Sequence, residues 1–224
     1  TDGDGLGNSF FPINGSSTQQ DELPLVLPWN NGTCPIFRSV SDTLPQELTS
    51  SGGECFALTG SNLVLDCAGY ALNGIGGGAG FDDRRGVEIA NVNNVTVKNC
   101  VIHNFTYGVY VRNAQNITLY NNTIYDNNNI GIYIDTTSSY NITNNRIYNL
   151  NSVTQDYGIR VISSYPRETS NLSSKYIFDN IIYNNTLHGI YISDNSDYLT
   201  INNNSVYNNT QYGILINGSF YTAI

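Results

Sequence analysis

The sequence predicts an all-β fold, a right-handed parallel β-helix of about six to seven coils preceded by an extended arm. Three observations predict it. A short glycine-led element recurs along most of the 224 residues. The recurring segments alternate apolar and polar residues with the period of a strand. The chain is also rich in Tyr, with 17, and in Ile, Val, Asn and Thr, while charged residues make up only 12 %.

The glycine-led element is GVEI at 86–89, GVYV at 108–111, GIYI at 131–134, GIRV at 158–161, GIYI at 189–192 and GILI at 213–216. Gly86 to Gly108 is 22 residues, Gly108 to Gly131 is 23, Gly131 to Gly158 is 27, Gly158 to Gly189 is 31 and Gly189 to Gly213 is 24. That period is too short for a propeller blade and suits one coil of short strands. Parity places Val87, Val109, Ile132, Ile159, Ile190 and Ile214 in one inward column, with Tyr110 and Tyr133 on the opposite face. The glycine before each strand is expected to occupy a turn of positive φ.

A second element follows, as in NVTVKNCVI at 94–102 and NITLYNNTI at 116–124. It predicts a second inward column of Ile102, Ile124, Ile147, Ile182 and Val206. It also aligns Asn122, Asn145, Asn180 and Asn204, with Cys100 one coil earlier, as a ladder of stacked amides. Tyr125, Tyr148, Tyr183 and Tyr207 follow that column, with His103 ahead of them. Tyr110, Tyr133 and Tyr191 form another row, interrupted by Arg160. Both rows face outward, where they serve cross-strand packing or contact a sugar or a protein partner.

Two segments fall outside the repeat. Residues 1–33 carry the apolar islands Phe10–Ile13 and Leu23–Trp29 among Gly, Asn, Ser and Pro, and read as an extended arm before a β-helix domain at 34–224. Residues 162–174 expand one coil and read as a projecting loop, because Pro166 bars regular pairing. The chain ends inside an unfinished coil, and an open end beside an extended arm suggests head-to-tail stacking of copies.

These elements together resemble the NosD-type parallel β-helix repeat family over about residues 55–217, including the opening ECFALTGSNLVLDCAGYALNG at 54–74. The resemblance implies the solenoid fold and a kinship with archaeal and bacterial surface proteins. Members of such families include accessory proteins, surface-layer-like proteins and sugar-active enzymes, so the fold does not name a chemistry.

Composition narrows the function. A net charge of −9 argues against nucleic acid, which needs clustered Lys and Arg. No apolar run reaches membrane-spanning length. Four cysteines allow three pairings. Comparable places on successive coils favour Cys67 with Cys100, leaving Cys34 with Cys55, in an oxidising compartment. No cofactor or metal is expected, since two His and no CxxC pair supply no ligand set. Asp82, Asp83, Arg84 and Arg85 read as a solvated loop, and Asp135, Asp156, Arg160 and Asp194 lie near the ends of first strands. Asp2 and Asp4 only faintly resemble a calcium loop.

Sequons begin at Asn14, Asn31, Asn94, Asn104, Asn116, Asn141, Asn171, Asn184, Asn208 and Asn217, and are glycosylation candidates. Asn121 and Asn203 also begin sequons but are expected to be too buried beside the ladder. The function these features suggest is an extracellular structural glycoprotein, a self-assembling subunit of a cell-surface filament or surface layer. The alternative is a β-helix that binds or cleaves polysaccharide. The expected partners are copies of the chain, covalent N-glycans and a polysaccharide, with enzymatic activity disfavoured because no acid pair stands out.

Overall fold

Alternating Ile and Val with polar neighbours make strands two to six residues long, and a computed structural model winds them into a solenoid. It describes residues 32–76, 84–150, 154–162, 175–194, 196–219 and 222–224. The chain divides into Thr1–Asn31 and Gly32–Ile224. The arm, apart from residues 32 and 33, lies outside the described residues, as do the loop at 163–174 and Asn14, Asn31, Asn171, Asp2, Asp4, Asp82 and Asp83.

Among the described residues every pairing between strands is parallel, and three sheets form the walls of the solenoid. The front sheet has eight strands: Ile36–Arg38, Phe56–Leu58, Arg85–Ala90, Tyr107–Arg112, Ile130–Asp135, Tyr157–Ile162, His188–Ser193 and Tyr212–Asn217. A middle sheet of seven strands runs from Asp42–Thr43 to Leu199–Asn202. A third sheet, also of seven, runs from Leu48–Thr49 to Ser205–Tyr207. The coil count thus agrees with the sequence period.

The register matches the predicted columns. Val109 lies opposite Val87 and Ile132, Ile159 opposite Ile190, and Ile190 opposite Ile214. Ile102, Ile124, Ile147, Ile182 and Val206 align in the third sheet. Ile124, Ile132, Ile147 and Ile159 are fully buried. Each such side chain contributes about 1.5–3 kcal/mol through removal from water.

The glycine column has a different cause from the one expected. Gly86, Gly108, Gly131, Gly158 and Gly189 have no positive φ. Space is the constraint. A Cβ on Gly131 would stand 2.6 Å from Ile147 Cγ2 and 2.7 Å from the Gly158 carbonyl oxygen, and Gly108 and Gly158 are equally crowded. The chain passes so close to the third-sheet Ile column that no side chain fits.

Left-handed backbone appears instead at the three corners of the coil, mostly on asparagines. Asn94 and Asn116 enter the middle sheet, Asn99, Asn121, Asn144 and Asn203 leave it, and Asn104, Asn184 and Asn208 leave the third sheet. Their φ values lie between 53° and 63°. Asparagine is the side chain that best tolerates this conformation, so the corners explain much of the asparagine content.

Two buried amide ladders line the interior. In the predicted one, the backbone N–H and Nδ2 of Asn122 donate to Asn145 Oδ1, both at 3.0 Å. Asn145 repeats this toward Asn180, and Asn180 toward Asn204. Cys100 N–H starts the series by donating to Asn122 Oδ1. A second ladder runs through Asn127, Gln155, Asn185 and Asn209. On the outside, the corner amides form shorter ladders donated in the opposite sense. Asn116 Nδ2 donates to Asn94 Oδ1 and Asn94 Nδ2 to Asn62 Oδ1, one coil earlier in each case.

The disulfides join Cys34 to Cys55 and Cys67 to Cys100, each with Cα atoms 4.7 Å apart. Arg84 and Arg85 are not part of a solvated loop. Arg84 donates to the Gly76 carbonyl, and Arg85 opens a front strand, paired with Glu88 at 3.0 Å and Glu54 at 3.5 Å.

Candidate ligand-contact face

The two outward tyrosine rows differ in what they leave exposed. On the third sheet, His103, Tyr125, Tyr148, Tyr183 and Tyr207 stack in one file. Their centroids are 4.6, 5.2, 4.9 and 5.0 Å apart, with interplanar angles of 13°, 9°, 4° and 0°. Inside the file each ring face is covered by the next ring, so only edges and hydroxyls remain for a partner. Arg146 adds to the file by donating to the Tyr183 hydroxyl at 2.7 Å and lying over the Tyr148 ring. A sugar stacks on ring faces, so this row packs the coils and is the weaker candidate for a saccharide.

The front sheet is arranged otherwise. Tyr110, Tyr133, Arg160 and Tyr191 occupy successive strands in register, with Glu88 before them and Leu215 after. A second row stands beside it: Arg85, Tyr107, Ile130, Tyr157, His188 and Tyr212. The rings meet at open angles, 65° for Tyr107 with Tyr110, 46° for Tyr110 with Tyr133 and 31° for Tyr157 with Tyr191. Rings tilted in this way cover one another less completely than the parallel rings of the third sheet, although Tyr107 and Tyr133 stack at 26°. This second row was missed in the sequence, although its residues sit one place before the repeat glycine, in YGVY, YGIR, HGIY and YGIL.

Electrostatics follow from burial. The Tyr133 hydroxyl is pushed up to about 12, first by burial and then by Asp135, against the opposing pull of Arg160. It stays protonated and can donate. Burial lowers His188, which favours a neutral ring. Glu88 is held by Arg85. The Arg85 guanidinium also lies 4.5 Å over the Tyr110 ring. Asp135 accepts from the Thr136 hydroxyl, Asp156 from Thr186 and Asp194 from Ser193, so each is tied to a local hydroxyl. No group of three His, Cys, Asp or Glu side chains placed for a metal ion occurs among the described residues.

The described sequon asparagines lie at the corners and on sheet faces. Asn94, Asn116, Asn184, Asn208 and Asn217 are exposed, and Asn104 and Asn141 are half-buried. Asn121 and Asn203 are also exposed, contrary to expectation. The left-handed turn directs each of them outward while the next residue, Asn122 or Asn204, turns inward to the ladder. The repeat therefore writes a sequon at the corner: a corner asparagine, a ladder asparagine, then a strand Thr or Ser.

Parallel strands in three walls, inward aliphatic columns and axial amide ladders define a parallel β-helix solenoid. The chain belongs to the right-handed β-helix family: the family model described as "right handed beta helix region" matches residues 49–174 and 168–224. Comparison with curated proteins and with solved structures found no match.

Proposed function

We propose that the protein is an extracellular structural glycoprotein that serves as a subunit of a cell-surface filament or layer. The observation that carries this reading is the placement of the sequons. Exposed asparagines at all three corners point away from the core, so glycans there would coat the solenoid without disturbing its interior. A glycosylated amide keeps one N–H, enough for the single outward donation that Asn94 and Asn116 each make. The disulfides fit an oxidising compartment. No helix among the described residues is long and apolar enough to cross a membrane. The motif that suggested the NosD-type branch belongs to this reading, as does stacking of copies through parallel strand edges.

Intact-mass analysis and electron microscopy of native material test it together. A mass well above 24.6 kDa per chain with regular assemblies supports the reading. Unmodified single particles at high concentration would overturn it.

A second reading, contact with a polysaccharide, is favoured by one observation: the tilted, outward rings of the front sheet. Binding of a panel of neutral and acidic oligosaccharides, with and without Tyr133→Ala, tests that face directly.

A further inference from the structure

We propose that Arg160 is the anchor of a binding site for the carboxylate of an acidic sugar, walled by Tyr133, Tyr157 and Tyr191. The proposal rests on the polysaccharide-contact reading of the front sheet and adds to it a ligand class and a key residue.

Arg160 takes the place of a tyrosine in its row, between Tyr133 on one strand and Tyr191 on the next. Its guanidinium lies 5.7 Å from the Tyr133 ring centroid, 5.2 Å from Tyr157 and 5.6 Å from Tyr191. These rings are its only contacts of that kind among the described residues, with no carboxylate paired to it there. Nε is closed off from solvent and has no hydrogen-bond partner. The terminal Nη nitrogens are not closed off in this way, so the accessible part of the group is the fork that receives a carboxylate through two parallel hydrogen bonds.

The contrast with neighbouring cations is informative. Arg85, on the same sheet, is neutralised by Glu88 and Glu54. Arg112, also on this sheet, is exposed. Arg160 is half-buried, and partial burial of a cation is unfavourable until an anion arrives. A second unsatisfied group lies in the same cluster. His188 is 6 % exposed, its ring meets Tyr157 and Tyr191 at 5.6 Å, and its Nδ1 is buried with no partner. Two buried polar atoms within this one aromatic cluster thus have no hydrogen-bond partner in the protein.

A sugar fits this better than a simple anion. Tilted rings offer partial faces to the apolar side of a pyranose, and tyrosine hydroxyls meet its hydroxyls. The net charge of −9 repels a dense polyanion, whereas a single carboxylate is attracted locally, within a screening distance of about 8 Å. The occupant is therefore a heteropolysaccharide whose uronate residues are separated by neutral sugars.

The test is calorimetric titration of the full chain with an oligosaccharide of alternating glucuronate and N-acetylglucosamine. Its carboxyl-reduced neutral counterpart, an oligogalacturonate and an acidic peptide are titrated alongside. R160Q and R160K are compared with R112Q, and circular dichroism confirms that each variant is folded. The expected result is binding of the alternating oligosaccharide that weakens at least tenfold in R160Q, weakens in R160K through loss of the fork, and is unchanged in R112Q. The neutral counterpart should bind the native chain only as well as the charged one binds R160Q. Equal binding of charged and neutral oligosaccharides, or no effect of R160Q, removes the carboxylate site while leaving the sugar-contact face standing. Absence of binding by any saccharide overturns both. Tighter binding of oligogalacturonate than of the alternating oligosaccharide contradicts the spacing argument. Arg160-dependent capture of the peptide alone assigns the site to a protein carboxylate and overturns the sugar.

Discussion

Replacing Asn145 by Asp tests the amide ladder with almost no change in shape. Asn145 Nδ2 donates to the carbonyls of Leu119 at 2.8 Å and Thr143 at 3.0 Å and to Asn180 Oδ1 at 3.0 Å. Its Oδ1 accepts from the backbone and the side chain of Asn122. A carboxylate keeps the acceptor but turns the donor into a second oxygen facing three oxygens, at 1 % exposure. Losing those donations and setting a buried carboxylate against three oxygens costs about 3–5 kcal/mol. For a domain of this size that lowers Tm by about 10–15 °C. Burial and the facing oxygens raise the folded-state pKa of the new carboxyl above its unfolded value of about 3.9. The protonated form can again donate one hydrogen bond. The destabilisation of N145D relative to the native chain should thus be smallest below pH ~3.9 and grow as pH rises toward the folded-state pKa, where it levels off. Thermal melts followed by circular dichroism across pH 3 to 8, with N144D at the exposed corner as control, measure this. If N145D melts like N144D at neutral pH, or if the difference between them is independent of pH, the ladder does not carry the stability assigned to it.

Three other outcomes are expected. Gly131→Ala should lower stability by about 2 kcal/mol or more, since the added methyl meets the Gly158 carbonyl and Ile147 rather than open space, and denaturant melts would show it. Lys175, 1 % exposed with Nζ donating to the Asp197 carbonyl, is pulled down to about 8 by burial, against the opposing effect of Asp197. Between about pH 8 and 10.5 the unfolded chain holds this proton and the folded one does not, so stability should rise with pH there, and Lys175→Met should flatten that rise in a pH series of melts. Joint replacement of Cys67 and Cys100 by Ser opens a loop of 33 residues and should cost about 4 kcal/mol, seen as an earlier urea midpoint.

The sequence made the solenoid legible because each coil repeats one physical problem. Val109, Ile132 and Ile159 had to stack, and a two-residue alternation beside a fixed glycine is enough to set their register. The ladder from Asn122 was readable because its residues keep a constant distance from the neighbouring Ile and Tyr. The second ladder was not. Asn127 and Asn185 follow their tyrosines by two residues, but Gln155 lies seven after Tyr148 and differs in side chain, so only folding brings it into line. The glycine column was legible as a pattern and opaque as a cause, because close approach is a property of neighbouring coils and not of the local chain. The front face was half legible. Tyr110, Tyr133 and Tyr191 stand inside the repeat element, whereas Tyr107, Tyr157 and His188 precede its glycine. Ring tilt, which separates the front sheet from the third, has no sequence signature.

The opposed sense of the amide ladders bears on the electric field along the solenoid axis. Inside, each Asn122-type amide donates to the side-chain oxygen of the following coil as well as to a backbone carbonyl of the coil before, so only its side-chain ladder runs forward. At the corners, each Asn94-type amide points its N–H toward the preceding one. Head-to-tail amides in one direction would polarise one another and add to a dipole that grew with every coil. Two sets running against each other cancel in part, so a solenoid of this kind can lengthen coil by coil without accumulating the electrostatic asymmetry that a long α-helix acquires.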